Sequence, residues 1–341
     1  MKARNILIAA LVLATAVGMS ACSSGGGKAG TIKVALANSF AGNTWRAQMV
    51  QEFDNACQTT YKAEVTCLPA ADGKDDLATQ VSQITDFITQ GVKIIIIDAK
   101  DATGLNAVIK QARDAGITVV DFDGITTSPD AIHVVEDQTT VGKLGGEWLA
   151  SQLKSGDTII SLDGISGVPV SDQRKAGADA ALEAAGIKIV GRGDTKWDRA
   201  TAATVAAGLL AKYPDVKGIY SQGGDASLGA IDAMKQLNMK ILPIPGEASN
   251  GFLKAWQTLS KDQPGFKSWA FASPPKLVVD ALDAGIKAVK GTGAKPGDSI
   301  NIDVPVITAD DLSKQVHADL NDSLWLPTLL PADFLQKNYK N

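Results

Sequence analysis

The feature that most constrains this chain is the run Ile94-Ile95-Ile96-Ile97, closed by Asp98. Four β-branched residues in a row, with no polar alternation, fit a strand covered on both faces in a parallel sheet. The flanks agree. Leu77, Val81, Ile84 and Ile88 repeat at helical spacing before Gly91, and Leu105, Val108, Ile109 and Ala112 do so before Gly116. Ile32–Leu36 opens as a strand, a helix follows from about Thr44 to Cys57, and Ala63–Leu68 and Thr118–Asp123 read as further strands. Strand and helix alternating in units of ~30 residues predict a doubly wound α/β sheet.

The pattern then repeats. Helices are predicted over Val141–Leu153, Gln173–Ala185, Ala200–Lys212, Ala226–Leu237 and Leu277–Val289. Strands are predicted over Thr158–Leu162, Lys188–Gly191, Val216–Ser221 and Lys240–Pro245. Two α/β halves of similar size suit a body of about 320 residues, beyond the size at which one core usually divides. The apolar stretch Leu324-Trp325-Leu326-Pro327 has no period. It reads as a tail packed back on a lobe, with a surface for a membrane partner as the alternative.

The N-terminus bears on location. Met1-Lys2-Ala3-Arg4 is basic, Ile6–Met19 is apolar, and Ser20-Ala21-Cys22 follows. This is the layout of a secretory signal and resembles a bacterial lipobox. The resemblance implies cleavage after residue 21, acylation of Cys22 and attachment to the outer face of the cell membrane, the periplasm where an outer membrane exists. A plain secreted protein cut nearby is the alternative. Ser23-Ser24-Gly25-Gly26-Gly27-Lys28 has the composition of a flexible tether, so residues 22–30 form a linker and the folded body starts near Thr31. No later run reaches the ~20 apolar residues that a spanning helix needs.

Composition narrows the partners. With 33 Lys and Arg against 37 Asp and Glu, the net charge is −4, and no basic block exists; a nucleic-acid partner is not expected. Cys57 and Cys67 remain, ten apart in an exported chain. A disulfide is the economical reading, with free thiols or a metal site as alternatives. His133 and His317 lack ligand-like spacing, and no metal is expected.

In open α/β sheets ligands sit beyond the carboxyl ends of strands. There the sequence places the loop Asn38–Arg46, then Asp98, Asp121 and Asp123, and in the second half Asp163, Trp197-Asp198, Gln222 and Glu247, with Arg174 nearby. No nucleophile–base pair is apparent. Gly164-Ile165-Ser166-Gly167-Val168 has Val where a nucleophile elbow needs Gly, and no phosphate loop exists. A neutral polyhydroxylated ligand suits this set, since carboxylates accept, Arg donates and amides do both. Phe40, Trp45 and Trp197 are candidates to cover its C–H faces. For Asp98 and Asp121, helix N-capping is the competing reading.

These motifs together resemble the type I periplasmic sugar-binding proteins of the ribose- and galactose-binding group, which feed ABC importers. The resemblance runs from about Thr31 to Thr308. It is carried by Asn38–Arg46, Gly91–Ile97, Asp121-Phe122-Asp123-Gly124, Glu136–Gly142, Gln173–Gly177, Trp197-Asp198-Arg199 and Ser221–Ala230. It implies two doubly wound parallel-sheet lobes joined by three hinge crossings, near Asp137, Ser273 and Thr308. One lobe would comprise 31–136 with 274–307, the other 137–273 with 308–341. The implied ligand residues are Asn38, Phe40, Trp45, Asp123, Arg174 and Trp197, to which strand-end position adds Asn43, Arg46, Asp98, Gln222 and Glu247. The chain departs from the ribose type at Gly124, where that type has Arg, and at Gly223-Gly224, where it has Asn-Asp. The departures point to another pentose, a sugar alcohol or a related small polyol. A monomeric binder without cofactor, delivering its ligand to a membrane permease, is expected. Alternatives are a sensor presenting its ligand to a membrane receptor, or an exported carbohydrate-active enzyme. A regulator of this fold would need a DNA-binding helix pair where the export signal stands.

Overall fold

The computed structural model describes residues 30–341. The signal, Cys22 and nearly all of the tether lie outside the described residues. Residues 31–341 form one compact unit.

Its strands are β1 Ile32–Asn38, β2 Val65–Cys67, β3 Ala71–Asp72, β4 Ile94–Asp98, β5 Thr118–Phe122, β6 Ile132–Val135, β7 Thr158–Asp163, β8 Lys188–Asp194, β9 Gly218–Ser221, β10 Ile244–Glu247, β11 Ser268–Phe271, β12 Ser299–Asn301 and β13 Val306–Ile307. The first sheet runs β12-β6-β5-β4-β1-β2, with β3 also on β1, and every pairing is parallel. The isoleucine run explains itself here. Ile94 and Ile96 face the helices Thr44–Gln58 and Leu277–Val289, whereas Ile95 and Ile97 face Leu77–Thr89 and Asn106–Asp114. Alternate residues of a strand serve opposite faces, so two helical layers demand apolar residues at every position.

The second lobe holds two ladders, β8-β7-β9 and β10-β11-β13, parallel except for the antiparallel edge strand β13. They meet where the Ile219 N–H donates to the Pro243 carbonyl at 3.1 Å. In a parallel ladder the return bond would come from residue 245. That residue is Pro245, which has no N–H to give, so the ladder breaks there.

The chain passes between the sheets at 136–137, 272–276 and 302–305. The third passage precedes Thr308, where the sequence placed it, because Val306–Ile307 already pairs with β11. Other boundaries shift as well. The helix expected from Gln173 starts at Pro169, a residue preorganised for the first helical turn. The strand expected over Lys240–Pro245 is Ile244–Glu247. The helix Asn250–Asp262 and strands β6, β11, β12 and β13 add to the elements expected from sequence.

Cys57 and Cys67 are joined by a disulfide between the helix Thr44–Gln58 and β2, with Cα atoms 6.2 Å apart; free thiols and a metal site at these residues are thereby excluded. Closing so short a loop contributes about 2–3 kcal/mol. A Cys57→Ser/Cys67→Ser variant is therefore expected to melt about 5 °C lower in calorimetry. An unchanged midpoint would show that the tie adds nothing.

Candidate functional site

Each sheet has one place where strand order reverses. In the first it lies between β1 and β4, whose last residues, Asn38 and Asp98, are register partners. In the second it lies between β7 and β9. Such switch points leave a crevice at the strand ends. Between the lobes lies a narrow cleft.

The first lobe lines it with Asn43, Trp45, Arg46 and Asp123. Asn43 also caps the helix Thr44–Gln58, its Oδ1 accepting from the Arg46 N–H at 2.8 Å, and so fixes where Arg46 leaves the backbone. The Arg46 guanidinium is 3% exposed and pairs with both Asp98 and Asp123, the latter at 3.3 Å. It also donates to Asn38 Oδ1 at 3.1 Å and lies over the rings of Phe40 and Trp45, at 5.0 and 5.3 Å. Burial pulls the Arg46 pKa down to about 10, with Asp123 opposing the fall.

The second lobe supplies Val170, Arg174, Trp197 and Glu247. Arg174 donates to Glu247 Oε2 at 3.1 Å, to Gln138 Oε1 at 2.8 Å and to the Gln222 carbonyl at 2.8 Å, and lies over the Phe271 ring. Trp197 takes a left-handed φ of 52°, and across the cleft Asp123 takes 53°. Non-glycine residues seldom adopt this conformation, and where they do the strain often marks a binding site. The Trp197 indole is wedged between two glycines. A Cβ at Gly164 would fall 2.1 Å from its Cζ2, and one at Gly223 would fall 2.7 Å from its Cδ1. Its Nε1–H is buried and has no acceptor among the described residues.

Four expected residues stand behind the cleft wall. Asn38 donates to the Phe40 carbonyl at 2.6 Å and buttresses Arg46. Asp98 is fully buried beneath Arg46. Phe40 packs against Val168, Val170 and Trp197 of the other lobe. Gln222 is tied into the framework: its amide accepts from the Gly164 N–H and donates to the Ser171 carbonyl, both at 3.1 Å. Asp98 and Asp121 cap no helix; Asp121 instead accepts from Thr126 and lies 2.7 Å from His133 Nδ1. Val170 and Trp325 line the cleft and Glu136 lies at the first passage, none of them among the ligand residues expected from sequence. Trp325 lines the cleft from the 324–327 stretch.

Glu136 sits at the first passage, 2% exposed. Its Oε2 accepts from Ser273 and from Gln138, and its Oε1 has no partner among the described residues. Desolvation pushes its pKa up to about 8, despite the Ser273 bond, and pushes that of Glu247 up to about 7, despite Arg174. Both folded values lie above the ordinary 4.5. For a raised carboxyl the folded form is favoured while it stays protonated, and that advantage is lost as pH rises through the folded pKa. The melting temperature of the ligand-free protein is therefore expected to fall between about pH 5 and 8, and Glu136→Gln to remove roughly half of the fall. An identical pH profile in wild type and variant would refute the assignment.

Among the described residues no helix is long and apolar enough to cross a membrane, and no cluster suits a metal ion. A sequence profile of the periplasmic binding protein domain matches residues 34–293. The D-ribose/D-allose-binding protein of Pseudomonas aeruginosa is 32% identical over 168 residues, 47% of this chain and 52% of that protein. The xylitol-binding protein of Mycolicibacterium smegmatis is 27% identical over 203 residues, 59% of this chain and 58% of that protein. The chain thus spans about half the length of the curated relatives it matches. An ABC transporter solute-binding protein from Mycobacterium smegmatis, solved with bound glycerol, superposes with a TM-score of 0.73 at 23% identity, covering 84% of this chain and 98% of that one. At that identity the superposition speaks for the fold alone. The profile match takes in most of both α/β lobes and the cleft between them, and by it the chain belongs to the periplasmic binding protein family, with the type I fold and a binding role rather than an enzymatic one.

Proposed function

We propose that the protein binds a small sugar or sugar alcohol in the cleft, outside the cytoplasmic membrane, and delivers it to the permease of an ABC transporter. The observation that carries this reading is the facing pair of buried, carboxylate-paired arginines, Arg46 on one lobe and Arg174 on the other, beside the indoles of Trp45, Trp197 and Trp325. Each arginine is already neutralised by a carboxylate, so the cleft has no strong demand for a charged ligand. Paired groups of this kind still have free lone pairs and N–H bonds to offer, and a hydroxyl can both donate and accept. Indole faces cover the C–H surface that a polyol also presents. The names of the relatives agree in class: ribose, allose and xylitol.

In this reading the cleft residues are Asn43, Trp45, Arg46, Asp123, Arg174, Trp197 and Glu247, with Asn38, Phe40 and Asp98 holding them. The lobes are 31–136 with 274–301, and 137–273 with 306–341, hinged at the three passages. The protein works as a monomer, tethered through acylated Cys22 so that it stays near its permease. Intact-mass measurement of the membrane-extracted protein tests the anchor: an unmodified Cys22 rejects it.

A ligand stabilises a protein to the extent that it binds the native state. A thermal-shift screen of pentoses, hexoses and alditols is expected to show stabilisation by a small subset. In calorimetry with the best of them, Trp197→Ala and Arg174→Ala are each expected to weaken binding at least ~tenfold, about 1.4 kcal/mol, without unfolding the protein. Affinity unchanged in both would mean that the ligand sits elsewhere.

A further inference from the structure

The helix Thr44–Gln58 carries two polar side chains that its core position does not call for: Gln48 and Glu52 are both fully buried. Both are occupied by the segment 317–341. Gln48 accepts from the Trp325 N–H at 2.8 Å and donates to the Trp325 carbonyl at 3.0 Å. Glu52 accepts from the Thr328 hydroxyl at 2.6 Å and from the Leu329 N–H. One turn earlier, Thr44 accepts from Trp325 Nε1 at 2.8 Å and donates to Asp225 of the second lobe at 2.6 Å. Positions 44, 48 and 52 share one helix face, so that face is a docking strip for the segment.

The same segment is anchored in the other lobe. The Leu326 N–H donates to the Ala248 carbonyl at 3.0 Å, and the Leu324 carbonyl accepts from the Asn250 N–H at 2.7 Å. Leu320, Leu324, Leu326 and Leu330 belong to the second lobe's core. Trp325, between two of them, belongs to the first lobe's cluster and lines the cleft. The alternation is that of an extended strand, whose successive side chains point opposite ways. Leu324 and Leu326 hold the segment down, and Trp325 is turned outwards into the cleft.

We propose that segment 317–341 is a strap tying the two lobes, and that Trp325, which it carries, is a specificity-determining wall of the ligand site that limits the size of the polyol admitted. The proposal rests on the sugar-binding reading above. The strap crosses from lobe to lobe outside the three passages, so it restrains opening as well as shaping the cleft. Trp325 lines the same cleft as Arg46 and Arg174, so the bulk of its indole, held by the Nε1 bond to Thr44, sets how much of that space a polyol can fill.

The test uses the full chain, with wild type, Trp325→Ala, Trp325→Phe and Gln48→Leu screened against pentoses, hexoses, pentitols and hexitols by thermal shift and calorimetry. Trp325→Ala is expected to lose at least ~tenfold affinity for the polyol that wild type prefers, and to gain in relative preference for larger sugars. Trp325→Phe keeps a ring in place and should keep the preference order. It also carries the test if the alanine variant does not fold, since a reordered preference in a folded Trp325→Phe would overturn the wall. Gln48→Leu should weaken all ligands by a common factor without reordering them. It should also enlarge the ligand-free radius of gyration in small-angle X-ray scattering. A Trp325→Ala protein with wild-type affinity and wild-type order would overturn the wall. An unchanged radius in Gln48→Leu would overturn the strap. If no polyol stabilises wild type, the sugar reading fails, and the scattering comparison still decides the strap.

Discussion

Two buried guanidinium–carboxylate groups hold this structure's site together: Arg46 with Asp98 and Asp123, and Arg174 with Glu247. Removing water from such charges is expensive, and the attraction between them repays it only when geometry and further hydrogen bonds are good. Both arginines meet that condition. Arg46 has Asn38 and two rings around it, while Arg174 has Gln138, the Gln222 carbonyl and the Phe271 ring. Each group is assembled from the ends of elements that are far apart in sequence, so the sheet order must be right before either charge can be buried. The site is thus a check on the fold: a misplaced strand would leave an arginine or a carboxylate buried alone.

Trp197 shows how a cleft wall is set by residues that have no side chain. The ribose-type pattern has Asn-Asp where this chain has Gly223-Gly224. The indole occupies the space that a Cβ at 223 would need, and that at 224 would run into the Glu247 carbonyl, 2.3 Å away. At Gly124, the position of the family's Arg, a Cβ would meet the Ala99 carbonyl at 2.5 Å. The two departures lie on different lobes: a Cβ at 124 would meet Ala99, and those at 223 and 224 would meet Trp197 and Glu247. In both places the missing side chain lets backbone or ring pack closer beside the cleft.

The sequence disclosed the first lobe well because its elements carry strong local signals. The isoleucine run could only be a doubly covered strand, and Gly91 and Gly116, both at positive φ, end helices where expected. That Arg46 and Glu247 line one cleft was legible because strand ends in an open sheet face the crevice, and that Asp123, Arg174 and Trp197 join them there followed from the family resemblance. The helix Asn250–Asp262 carries equally plain signals, with Ser249 as cap and Phe252, Leu253, Trp256 and Leu259 in helical period, though it is not among the elements expected from sequence. Strands β12 and β13, three and two residues long, hold no pattern to read. Their place is decided by pairing with β6 and β11. Trp325 was hidden for a similar reason. Its neighbours Leu324 and Leu326 make the stretch look uniformly apolar, and only the extended backbone separates its direction from theirs.

The contacts between the lobes pull in two directions. Phe40 in the apolar cluster with Trp197, and Thr44 on Asp225, hold the two lobes together. The carboxylates favour the reverse. Glu136, Glu247 and Asp225 all have pKa values raised by burial, to about 8, 7 and 6, so each prefers its ionised form in water to its buried position near neutral pH. A ligand shifts such a balance only by its differential affinity for the two arrangements. In the proposed function, hydroxyl donors between Arg46 and Arg174 would reach the carboxylates of Asp123 and Glu247, which line the cleft from opposite lobes, and would reach both only when the lobes are together. In that proposal the hydration lost by those carboxylates when the lobes meet would be offset by the ligand's hydroxyls. A cleft lined with fully satisfied groups would close as readily empty as full, and could not report that it was loaded.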